Sequence, residues 1–170
     1  YTNRAASLLS VGRVEEAKEA IEEALKLEPQ DTDLLIARAE SLAQSECDAT
    51  LDVLLELNEI EGRKRYLDHG YASMFDFATR HLGYSESAAG RRIRVARCLR
   101  RFPALVEPFR AREVNLSIVV CASKALAYEN GEQLIARIRG KSQREVERMI
   151  AMLRPPEPVR DEVKPIPPSP

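Results

Sequence analysis

The sequence contains no Trp, and Phe and Tyr together supply only nine of its 170 residues. A core without large aromatics must be filled by Leu, Ile, Val and Ala, a set that favours helices. Gly is sparse, and Pro gathers in the last sixteen residues. No apolar run reaches the ~18 residues that a bilayer span requires, so no membrane partner is expected. No signal peptide is visible. Cys47, Cys98 and Cys121 are odd in number and far apart. They fit reduced, mostly buried thiols in a cytoplasmic protein rather than a disulfide framework. His69 and His81 have no Cys pair beside them. They read as ordinary polar residues, with a zinc site as the alternative. A Ser-His-Asp set, a phosphate-binding Gly loop and a zinc signature are all missing. The stretch therefore offers no catalytic residue, no metal ligand and no cofactor site, and it leaves open whether its parent protein is an enzyme.

Charge is present but unevenly placed. Residues 1–61 carry 5 basic and 15 acidic side chains, a net of −10. Residues 62–112 carry 12 basic and 4 acidic, a net of +8. The whole chain nets only −1. Such asymmetry predicts modules with different partners.

Apolar residues recur at helical spacing almost throughout. Residues 4–10 predict a helix ending at Gly12. VEEAKEAIEEALKLEP follows as an amphipathic helix with Val14, Ala17, Ala20, Ile21, Ala24 and Leu25 on one stripe. Glutamates at 15, 16 and 19 suit its start, and Pro29 stops it. Asp31 or Asp33 caps a second helix, DLLIARAESLAQ, whose expected core face is Leu35, Ala39 and Leu42. These residues resemble a tetratricopeptide repeat over about residues 1–42. The likeness rests on Gly12, small Ala17 and Ala24, Ile21 between them, and Pro29 at the closing turn. It implies a helical hairpin that binds other proteins. Since about three repeats are needed to bury a continuous core, the hairpin must rest on something else.

Residues 48–69 predict a third helix with Leu51, Leu54, Leu55 and Leu57 inward, broken by Gly70. SMFDFATRHLG carries a Ser73–Asp76 capping pair and ends at Gly83. Ser85 caps the next helix, which runs to about Arg101 before Phe102-Pro103 ends it. A short helix covers 104–112. An apolar helix is expected to start at Ser117, and EQLIARIRG follows. KSQREVERMIAML opens on a Ser142–Glu145 capping box. Residues 155–170 read as a disordered, Pro-rich linker. With a start at Tyr1 rather than Met, that linker makes the chain read as a fragment.

Six arginines and no lysine occupy residues 91–101. On a helical wheel Ala88, Ala89, Val95, Ala96, Leu99 and Phe102 share one side. Arg94, Arg97 and Arg101 share the other, flanked by Arg91 and Arg100, while Arg92 points back along the protein. A short helix, a Gly-containing turn and a second helix also give the outline of a helix-turn-helix. Ser85 and Ser87 lie at the start of the second helix, where a phosphate or base edge can be met. Guanidinium groups suit phosphate and guanine. The candidate DNA-binding set is therefore Ser85, Ser87, Arg91, Arg94, Arg97, Arg100 and Arg101. Two other readings stand beside it: pairing with acidic groups, in this chain or on a partner protein, and a plain solvated face.

From about Leu55 to Pro168 the order of these pieces resembles the helical region that precedes the nuclease domain in bacterial HNH endonuclease proteins. GYASMFDFATRHLGYSESAAGRRIRVARCLRRFP, FRAREVNLSIVVCASKAL and GKSQREVERMIAMLRPPEPVRD carry the likeness. One departure is Glu113-Val-Asn115, where a Gly is common. The resemblance implies a non-catalytic module that brings a metal-dependent nuclease, expected beyond Pro170, to duplex DNA. The alternative is a tetratricopeptide-type scaffold whose Arg-rich helix binds an acidic protein. The expected fold is all-α: a tetratricopeptide-like segment at 1–47, a helical domain with a helix-turn-helix-like unit at 48–154, and the linker at 155–170. Residues 1–47 are the expected protein-binding part.

Overall fold

The computed structural model describes residues 8, 13–27, 31–127 and 131–153. Among these residues there are helices and turns but no strand, so the all-α expectation holds. The helix expected at 4–10, the turn at Pro29 and the linker at 155–170 lie outside the described residues, except that Leu8 is helical.

Helix α1 is Val14–Leu27. It buries Ala17, Ala20, Ile21 and Ala24, and the small side chains let the next helix approach closely. Asp31 then caps α2, its carboxylate accepting from the backbone N–H groups of Asp33 and Leu34. Helix α2 is Thr32–Gly62, a single run of 31 residues. This corrects the expectation of separate helices at 33–44 and 48–69. No Gly or Pro falls between Thr32 and Glu61, so nothing in the chain breaks the hydrogen-bond ladder. What changes is the buried face. Leu34, Ala37 and Ser41 face inward in the first half, and Leu51, Leu54 and Leu57 in the second. At 100° per residue the two sets centre roughly 130° apart. The boundary placed at 47/48 thus falls inside a continuous helix.

The same rotation overturns a second expectation. Leu35, Ala39 and Leu42 do not form the core face of this region; all three are exposed, and Ile36 joins them. Leu55 is exposed too. Among the described residues, Ala37 packs on Ile21 of α1, while Leu35, Ile36 and Leu42 stay at the surface. The chain leaves α2 at Gly62 rather than near His69, with Lys64 in the left-handed region at φ 54°. A short turn, α3, Arg65–Asp68, follows.

Helix α4 is Met74–Asp76, continued by a π-helical turn Phe77–His81. The Ser73 hydroxyl accepts from the Asp76 N–H at 3.0 Å, as the capping pair predicts. Met74, Phe77 and Ala78 are buried, whereas Phe75 and Leu82 stay exposed. Gly83 takes φ 72°, which reverses the chain into α5, Glu86–Arg101. Ser85 caps α5 through the Ala88 N–H. After a 3-10 turn, Pro103–Leu105, come α6, Val106–Arg110, and α7, Leu116–Leu126. Helix α7 is capped by Asn115, not Ser117: Asn115 is extended, and its side chain accepts from Ile118 N–H at 3.0 Å. Asn is among the strongest N-caps, and Arg112, at φ 59°, sets up the turn before it. Helices α8, Gly131–Ile138, and α9, Gln143–Leu153, close the bundle. Gly131 abuts Phe102 so closely that a Cβ there would lie 2.5 Å from the ring.

Among the described residues, two hydrophobic clusters result. A large one gathers Leu51, Leu54, Val95, Leu99, Val119, Leu126 and Val146 with their neighbours. A small one joins Ile21 to Ala37, with Leu25 against them. Helix α2 runs through both, packing on α1 at its start and on α5 at its end.

Candidate anion-binding groove

Helix α5 meets the bundle on one side and solvent on the other. Ala89, Ile93, Val95, Ala96, Cys98 and Leu99 are buried, while Arg91, Arg94, Arg97, Arg100 and Arg101 are exposed. This is the stripe that the wheel predicts. Arg92 leaves it: its guanidinium lies over the Tyr84 ring, 4.4 Å from the centroid, a cation–π contact that holds it against the protein.

Arg94, Arg97 and Arg101 line a groove of about 580 Å³ between α5, the end of α2 and the start of α4. Its other walls include Glu61, Tyr66, Ser73, Met74, Phe75 and Phe102. Glu61, the last acidic residue of α2, reaches Arg97 over 36 positions of sequence. Arg97 Nε donates to its two carboxylate oxygens at 3.0 and 3.1 Å, and Nη2 to one of them at 2.5 Å. That hydrogen bonding holds the Arg97 guanidinium above its ordinary pKa, so it stays charged at any pH of interest. The Glu61 side chain is 16 % exposed, so its carboxylate sits well into the groove. Arg101 places its guanidinium 5.3 Å from the Phe102 ring and donates to the Ala127 carbonyl at 3.5 Å. Among the described residues, Arg97 is the member of the stripe that pairs with a carboxylate of residues 15–61.

The remaining candidates sit away from the groove. Ser85 and Ser87 are exposed at the opposite end of α5, and Ser85 is engaged in capping it. Arg91 and Arg100 flank the stripe without lining the groove. Glu61, Tyr66, Phe75 and Phe102 are groove residues that sequence reasoning did not single out. Only the wheel position of Phe102 was a signal; nothing in the sequence ties Glu61 to Arg97.

His69 and His81, twelve apart in sequence, come together with ring centroids 5.8 Å apart. His81 stacks on Phe77 at 4.8 Å, and its Nδ1 shares a hydrogen bond with the Tyr71 hydroxyl. Among the described residues no three His, Cys, Asp or Glu side chains converge as a metal site requires. Cys98 is buried, Cys47 and Cys121 are half-buried, and burial raises all three thiol pKa values. No helix among the described residues is long and apolar enough to cross a membrane.

Among the described residues the arrangement is an all-helical module with an arginine-lined groove. Residues 1–41 match the tetratricopeptide repeat family. No curated protein and no solved structure matches the chain. The repeat thus rests on a family match, and the nuclease resemblance on sequence motifs alone.

Proposed function

We propose that this chain is a protein-interaction module: a tetratricopeptide-type segment that engages protein, joined to an arginine helix that binds an acidic protein partner. The repeat match over residues 1–41 carries this reading, because such repeats commonly mediate protein interactions. The uncovered apolar face of Leu35, Ile36 and Leu42 on the same segment supports it. Large apolar side chains left at the surface together mark contact sites.

A second reading is favoured by the arginine stripe itself. Arg91, Arg94, Arg100 and Arg101 face solvent on one side of an N-capped helix. In this reading the module binds duplex DNA through them and serves an HNH-type nuclease.

One titration separates the two. The full chain is added to labelled polyglutamate and to a labelled duplex, each across a salt series, with fluorescence anisotropy as readout. The protein-interaction reading expects tighter binding to polyglutamate, lost in Arg94→Ala/Arg97→Ala. The DNA reading expects duplex binding with a Kd of ~10⁻⁴ to 10⁻⁶ M. Its log affinity should fall against log salt with a slope of roughly −3 to −4 for four phosphate contacts, flattened by about two units in the double variant. Polyglutamate that fails to bind at low salt sinks the first reading.

A further inference from the structure

We infer that the groove between α2, α4 and α5 binds a short acidic peptide segment bearing an aromatic anchor, and that Glu61 is its built-in competitor. This rests on the protein-interaction reading and names the chemistry of the partner. The groove has one charged wall and one apolar wall. Arg94, Arg97 and Arg101 form the first. Tyr66, Met74 and Phe75 stand on the second, and Phe75 is left 43 % exposed at the surface. A volume of about 580 Å³ suits a few side chains in a cleft. A duplex is too thick and too convex to enter it, so DNA could touch only the rim.

Glu61 shows which anion the groove accepts. Its carboxylate takes the planar fork of Arg97, the geometry an incoming Asp or Glu adopts on a guanidinium. An internal carboxylate therefore already occupies the middle of the stripe. Arg94 and Arg101 lie on either side of it, about 10 Å apart along the helix axis. Neither has a carboxylate partner among the described residues. A ligand with acidic residues on both sides of an aromatic ring would satisfy those two arginines and place its ring against Phe75. Glu61 opposes it twice, by repelling its negative charge and by holding Arg97.

The test uses the full chain and a fluorescein-labelled peptide with two acidic residues on each side of a central phenylalanine. The control peptide has glycine at the centre. Burying the ring should make the phenylalanine peptide bind about tenfold tighter or more. Glu61→Gln removes the competing negative charge at nearly constant volume and leaves Arg97 a weaker, neutral acceptor, so it should tighten binding severalfold. Arg94→Ala/Arg101→Ala should weaken it about tenfold, with circular dichroism verifying that the helices remain. Phe75→Ala should bring the two peptides to equal affinity. Equal affinity of both peptides for the wild-type chain overturns the inference, as does a Glu61→Gln variant that binds no more tightly. If polyglutamate still binds in that case, only the groove assignment falls and the protein-interaction reading stands.

Discussion

Lys64 and Arg112 sit at φ 54° and 59°, a left-handed conformation in which a Cβ crowds the following carbonyl. Each stands where a helix has ended and the chain must turn, a position that glycine usually fills. Lys64 closes α2 by donating its N–H to the Glu61 carbonyl at 3.1 Å. Its side chain is exposed, so little packing is lost by removing it. Lys64→Gly should stabilise the protein by about 0.5–1 kcal/mol, the relief of strain outweighing the added freedom of the unfolded chain. Urea denaturation of the two proteins would measure this; an unchanged or lower midpoint would mean that the left-handed residue is held by contacts of its own side chain.

At the scale of elements, caps are where sequence and structure agree best. Ser73, Ser85 and the Ser142–Glu145 pair each begin the helix their spacing predicts. A cap is a contact within three or four residues, so local sequence suffices to specify it. The exception is Asn115 in place of Ser117: Asn115 is extended and its side chain accepts from the Ile118 N–H, the geometry of an N-cap. The α9 cap also has a pH dependence. The Ser142 N–H and hydroxyl both donate to Glu145 at 2.8 Å, which holds its carboxyl below the ordinary carboxylate range. A carboxylate depressed in the folded state stabilises fully above the unfolded pKa of about 4.3. That contribution is lost as pH falls through the lower, folded value. Glu145→Ala should therefore melt below wild type near neutral pH, with the gap closing as the solution is acidified past about pH 4. A gap that persists undiminished in acid would assign the effect to packing rather than to the cap.

On the whole-molecule scale the two hydrophobic clusters are unequal. Among the described residues, the cluster at the α1 end joins Ile21 and Ala37 with Leu25, whereas the bundle cluster gathers residues from most of the helices that follow. Regions with few buried contacts open locally at low cost. Amides of α1 should then exchange with solvent well before those of α5 and α7, with protection along α2 rising from Leu34 toward Leu54. Hydrogen exchange read by mass spectrometry would test this. Uniform protection from α1 through α7 would show the molecule unfolding as one cooperative unit.

Much of the architecture was legible residue by residue. Helical periodicity, the scarcity of Gly and aromatics, and the caps determined an all-α chain and the bounds of α1 and α5. The one-sided arginine stripe was equally readable, since it needs only a 3.6-residue period and a neighbour on the apolar side. Tertiary structure decided which face of each half of α2 is buried, because that depends on what packs there: Ile21 of α1 meets Ala37, whereas Leu35 and Leu42 are left exposed. It also decided that α2 continues without a break, so that its last turn delivers Glu61 to Arg97. No local pattern encodes a contact 36 residues apart; it exists only because α2 and α5 pack side by side.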